Sequence, residues 1–176
     1  MFPRLLCLLC LLALFQQASL AQQSGVARPD PVPDTCPVTR PPTKPFVPPP
    51  PYPARTAPGD FLYGTNQLWT SLRTTGTWKG LPHYTPTDPS FRQKLAWWRQ
   101  GWDWHKEPQP KLKVTGRRLD SPAPPLAAGR ANGGWEPEHP DQPFMVVGIN
   151  LPALGCWEIT GHYGNQELTF VVWVAQ

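Results

Sequence analysis

Beyond its first 21 residues the chain has no apolar run long enough to cross a bilayer. Those later residues also have no stripe of lysine or arginine, no catalytic signature and only two of the chain's four cysteines. Each absence excludes something. A helical span needs about 20 consecutive apolar residues, so no later segment is expected to be membrane-spanning. The formal net charge of +4 is mild and unclustered, which argues against a polyanion, and nucleic acid is not an expected partner. There is no Gly-x-Ser-x-Gly elbow, no His-Glu-x-x-His pair, no Gly-rich phosphate loop and no Cys–His nucleophile pattern. The expectation is therefore a non-enzymatic protein without cofactor or metal. No segment has the 3.6-residue apolar period of an amphipathic helix, and no internal repeat is visible.

What is present begins with a leader. Arg4 precedes an apolar run from Leu5 to Phe15, and Ser19-Leu20-Ala21 puts small residues where a secretory signal is cleaved. Residues 1–21 are read as a signal peptide. A retained lipoprotein anchor is the alternative, since Cys7 and Cys10 lie in the run, although each follows Leu rather than a small residue. Cleavage would remove Arg4 and lower the net charge from +4 to +3. It would leave Cys36 and Cys156, and two cysteines in an exported chain are expected to form one disulfide. Two free buried thiols are the alternative. The bond would close a loop of about 120 residues, for which chain-entropy arguments give roughly 4–5 kcal/mol.

Residues 22–58 form a proline-rich arm. Half of the 26 prolines lie between Pro29 and Pro58. Proline lacks a backbone donor and fixes φ, so the arm can be neither a helix nor an inner strand; polyproline II is expected. The run Pro48-Pro49-Pro50-Pro51-Tyr52-Pro53 has the composition of a groove ligand and equally that of a plain linker. A disulfide from Cys36 would pin part of the arm to the C-terminal domain.

From residue 59 to 176 the composition suits an all-β domain. Strands are expected at 67–72, 77–78, 94–99, 111–119 and 143–151, and in a closing hairpin around Gly164-Asn165, where both residues tolerate the positive φ of a tight turn. With Tyr163 and Gln166 flanking the turn, Ile159 faces Phe170, Trp157 faces Val172, Thr160 faces Thr169 and His162 faces Glu167. These are matched pairs, and a one-residue slip would destroy them. Trp157, Ile159, Leu168, Phe170 and Val172 should then be core. Cys156, Glu158, Thr160, His162, Val171 and Trp173 form a mixed face whose Cys156 end something else covers. About seven strands without a helix indicate an immunoglobulin-like β-sandwich, with a small β-barrel as the alternative. Residues 80–93 and 121–142 are expected to be long connections.

Several segments are familiar together: Tyr63-Gly64-Thr65-Asn66 before Leu68-Trp69, then Trp97-Trp98-Arg99, then Gly116-Arg117-Arg118-Leu119-Asp120 with Pro122-Ala123-Pro124-Pro125-Leu126, and above all Gly155-Cys156-Trp157-Glu158-Ile159-Thr160-Gly161. From about Cys36 onward the chain resembles a group of small exported bacterial proteins of uncharacterised function, whose members more often carry Val where this chain has Ile159. The resemblance implies a secreted or periplasmic envelope domain with a sandwich-like fold. It brings no reaction.

Nine tryptophans in 176 residues are the best functional lead. Trp97, Trp98, Trp102 and Trp104 fall within eight positions. Exposed indoles stack on sugar rings and populate interfaces, so Trp98, Trp102 and Trp104 are the candidate ligand-binding residues, and an envelope protein or glycan is the expected partner. Packing beneath the proline arm is the competing account of the excess. Glu158 needs a cation if covered; Arg99 is the chosen ion-pair partner, with Arg117 and Arg118 also within reach of the pattern. An envelope-polymer hydrolase would have to draw its acid/base groups from Asp103, His105, Glu107, His139 and Asp141, and those side chains would have to meet in one cleft. A passive structural protein would bury all its indoles.

Overall fold

The computed structural model describes residues 31–54, 56–137 and 139–176. The expected leader and the first part of the arm lie outside the described residues, as do Arg55 and Glu138. Eleven strands follow the arm: β1 (Asp60–Thr65), β2 (Leu68–Arg73), β3 (Thr77–Lys79), β4 (His83–Thr85), β5 (Asp88–Trp98), β6 (Lys113–Arg118), β7 (Ala127–Ala128), β8 (Asn132–Glu136), β9 (His139–Leu151), β10 (Gly155–Tyr163) and β11 (Gln166–Ala175). No helix occurs among the described residues, so none is long and apolar enough to cross a membrane.

The strands make two sheets. One has the order β1-β2-β5-β9-β7, with β4 beside β5 and β8 beside β9; the other has the order β3-β11-β10-β6. Neither closes into a barrel. Short strands β7 and β8 share one edge of β9, so the larger sheet contains β2, β5, β9 and β7/β8 in that order. All its pairings are antiparallel, whereas β3 joins β11 in parallel. These are the A-B-E-D and A′-G-F-C sheets of an immunoglobulin-like sandwich, with β1 and β4 added.

The hairpin adopts the expected register, from Tyr163 opposite Gln166 to Gly155 opposite Val174. Gly164 takes φ 61° in its turn. Alternation then decides what is inside. On β6, Val114 is buried while Lys113, Thr115 and Arg117 are exposed. On β9, every second residue from Pro143 to Leu151 is buried. The core gathers Trp97, Met145, Val147, Ile149 and Leu151 from one sheet and Trp157, Ile159, Phe170, Val172 and Val174 from the other. Trp97 sits 5.9 Å from Phe170, centroid to centroid, and lies over Gly161. A Cβ on Gly161 would come within 2.5 Å of two Trp97 ring carbons. An immunoglobulin domain often places its inter-sheet disulfide between these two strands; here an indole on β5 meets a glycine on β10.

Cys36 and Cys156 are disulfide-bonded, 120 residues apart in sequence. Cys156 stands opposite Trp173 on the outer face of the smaller sheet, so the arm starts there. It then turns round the edge. Thr39 takes the place of a strand beside β11: its N–H donates to Val171 O and its Oγ1 accepts from Val171 N, both at 2.9 Å. Arg40 donates to Thr75 O at 2.7 Å. Beyond that, Phe46 and Tyr52 cover Trp69 on the outer face of the larger sheet, at 5.7 and 5.1 Å. Leu68 and Leu72 point into the core, whereas Trp69 has the opposite parity and is buried on the outer face, where the arm lies on it. From Pro31 onward the arm is thus part of the folded unit, which runs Pro31–Gln176.

Asp120 secures the start of β10. Its carboxylate accepts from Arg118 Nε at 2.7 Å and from the Cys156 N–H at 3.1 Å. Burial pushes this carboxyl up, but the Arg118 and Cys156 hydrogen bonds together outweigh it and hold the carboxyl below its ordinary value of 3.8. A lowered pKa adds stability above the unfolded-state value and loses it as pH falls through the folded-state value. Asp120→Asn is expected to cost about 1–2 kcal/mol at neutral pH, with the difference from the native chain closing below pH 3.8. Thermal unfolding of both chains over acid pH checks this; a difference independent of pH would exclude the charge as its origin.

The seven expected strands are all present. The two expected long connections are not structureless: residues 80–93 contain β4 and the start of β5, and residues 121–142 contain β7, β8 and the start of β9. Strand β8 begins Asn132-Gly133-Gly134, a poor β-forming sequence. The glycines are there for their neighbours, since a Cβ on Gly133 would meet Trp102 at 3.0 Å and one on Gly134 would meet Phe144 at 2.9 Å.

Candidate functional site

The outer face of the larger sheet and the arm enclose a groove of about 430 Å³. Its floor is built by alternation: Trp69 on β2 and Trp98 on β5 are directly cross-strand and both point outward, and Phe144 on β9 lies 6.3 Å from Trp98. One wall is the arm, where Pro48 is buried and Tyr52 donates to Pro143 O at 3.2 Å. Burial, helped by the charge of Asp141, pushes the Tyr52 hydroxyl above its ordinary pKa. Asp60 of β1, Glu136 of β8, and His139 and Gln142 of β9 supply the polar rim. Asp60 is paired with Arg73 at 3.2 Å; Glu136 has no ion-pair partner among the described residues. Four aromatic side chains beside a few convergent polar groups make the usual composition of a small-molecule site, and the volume is in the usual range of about 300–1,000 Å³.

The residues singled out from sequence part company. Trp98 lines the groove and is half-buried. Trp102 is not available to a ligand: it is 5% exposed and packs in the core against Gly133. Trp104 is at another place, stacked on Trp135 at 4.5 Å and 15° and tilted against His105 at 3.9 Å. Trp135, 47% exposed, is the indole most open to solvent. Tyr52, Trp69, Phe144, Glu136 and His139 are not among the ligand-binding candidates the sequence offers; His139 stands there among the acid/base groups of the hydrolase alternative. The signal for Trp69 was its parity against Leu68 and Leu72; nothing local marked Tyr52.

Glu158 does have a cation, but it is Arg117 and not Arg99. Arg117 stands opposite Glu158 across β6 and β10, with Nε 2.7 Å from Oε1. Arg99 instead lies over the Tyr163 ring at 4.7 Å, while the Tyr163 hydroxyl donates to Glu107. Burial first, then Glu107, raise the Tyr163 pKa above 10.0, against the pull of Arg99. A raised tyrosine pKa adds stability that is lost as pH climbs past 10.0.

No family model, curated protein or solved structure matches the chain. The site is therefore read from its chemistry alone.

The acid/base residues do not meet in one cleft. Asp103 holds His105 at 3.4 Å and Lys106 at 3.3 Å. Glu107 is engaged by Tyr163 and by the Lys111 N–H. Of the five, His139 alone lines the groove. A second array has triad-like connectivity: His162 Nε2 is 3.2 Å from Thr115 Oγ1, and its Nδ1 is 3.0 Å from Glu167 Oε1. It lies on the open outer face of the smaller sheet, where nothing excludes water from a reacting group. Among the described residues, no group of three or more His, Cys, Asp or Glu side chains could hold a metal ion.

Proposed function

We propose that this chain is a non-enzymatic binding module of the bacterial cell envelope, whose ligand occupies the groove between the proline arm and the outer sheet face. The observation that carries the reading is the convergence of Tyr52, Trp98 and Phe144 with Asp60, Glu136 and His139 around one opening of about 430 Å³. Aromatic faces supply stacking area at low entropic cost, and the rim supplies orientation. A leader of secretory type and the Cys36–Cys156 bond support an extracytoplasmic setting.

Acrylamide quenching of tryptophan fluorescence in the oxidised chain tests it, with envelope saccharides added in turn. Trp69, Trp97 and Trp157 are at most 1% exposed and should stay silent; Trp98 should become protected by a ligand, and Trp98→Ala should abolish that protection. Protection that survives Trp98→Ala would move the site away from the groove, and the absence of any protection would overturn the reading.

A further inference from the structure

We propose that the groove takes a ligand bearing a protonated or quaternary ammonium group; the inference rests on reading the groove as a binding site. The chain as a whole is basic, with 16 Lys and Arg against 12 Asp and Glu. The groove reverses that balance. Its described ionisable lining residues are Asp60, Glu136 and His139, with no lysine or arginine, and Asp141 is close enough to act on the Tyr52 hydroxyl. Asp60 is already matched by Arg73, which leaves Glu136 as the lining carboxylate without an ion-pair partner among the described residues.

Around this carboxylate stand π faces. Trp98, Phe144 and Tyr52 border the same opening, and Trp69 lies beneath. A cation is attracted to the faces of such rings, most strongly to indole, and sites for alkylammonium groups combine them with a nearby carboxylate. Anionic ligands would meet repulsion from Glu136 and from the negative ring faces together. A neutral sugar would find stacking but leave Glu136 without a cation. The volume has room for a head group of monosaccharide size. Two sources share this chemistry: an amino sugar and an alkylammonium head group.

Calorimetric titration of the oxidised full chain separates them, using glucosamine, choline, glucose and glucuronate at mildly acidic pH, where the amine of glucosamine is charged. Glucosamine or choline should bind at least about tenfold more tightly than glucose, and glucuronate should not bind. The tighter of the two cations assigns the source. Glu136→Gln should weaken the cation by about tenfold or more while leaving glucose unchanged, and Trp98→Ala should weaken both; unfolding midpoints of the two variants, measured alongside, confirm that each is folded. If glucose equals glucosamine and Glu136→Gln changes nothing, the cation preference is wrong and the binding site stands. If no compound binds and Trp98→Ala is silent, the groove reading falls with it.

Discussion

Alanine in place of Trp97 should destabilise the sandwich by about 3–5 kcal/mol, the range for removing a large aromatic from a packed core. Trp97 is fully buried, and its indole Nε1 has no hydrogen-bond partner, so the change removes packing alone. Its position over Gly161 makes a sharper prediction. Gly161→Ala adds a carbon 2.5 Å from the ring, and overpacking of that kind costs about 1–3 kcal/mol. In the Trp97→Ala background the added methyl enters a cavity and should cost little or nothing. A double-mutant cycle by urea unfolding measures the coupling, which should be on the order of 1–3 kcal/mol. Additive effects would mean that Trp97 and Gly161 are not the contact that joins the sheets.

Loss of the disulfide is the second large effect. Replacing Cys36 and Cys156 together by alanine should lower stability by roughly 4–5 kcal/mol, because the bond closes a loop 120 residues long and so constrains the unfolded chain. The folded groove should nonetheless persist. Its arm wall is also held by Thr39 on β11, by Arg40 on Thr75 and by Phe46 and Tyr52 on Trp69. Chemical unfolding gives the first quantity. Quenching of Trp69, isolated by comparison with a Trp69→Phe chain, gives the second. A shift below about 1 kcal/mol would exclude the loop-entropy account, and an exposed Trp69 in the folded variant would show that the disulfide alone holds the arm.

Alternation in the sequence carried the hairpin and β6, and a continuous apolar run from Phe144 to Ile149 carried β9, because each is a local pattern. Pairs such as Thr160 with Thr169 and His162 with Glu167 follow once the Gly164-Asn165 turn is placed. The disulfide was legible as well, since only two cysteines remain after the leader. What was hidden is non-local. The parity of Trp69 against Leu68 and Leu72 puts it on the outer face, but that this face is covered there follows only from the docking of Phe46 and Tyr52 from more than fifteen positions upstream. Strand β8 was hidden because its glycines answer to Trp102 and Phe144 rather than to strand propensity. The partner of Glu158 was open among three arginines until the β6–β10 register selected Arg117. Of the three indoles singled out, Trp98 reached the groove because its strand alternates against buried Trp97, whereas Trp102 and Trp104 follow Gly101 in a turn where period-two reasoning does not apply.

The path of the arm has a mechanical consequence. Cys36 is joined covalently to β10, and β10 continues directly into β11. Tension applied between the chain upstream of Cys36 and the C-terminal strand therefore crosses the sulfur–sulfur bond and enters the smaller sheet. The stretch from Pro37 to Ala54, which walls the groove, lies on a slack parallel branch of this circuit. A protein tethered by its N-terminal segment and pulled through its last strand would keep its groove in shape while the load passed it by.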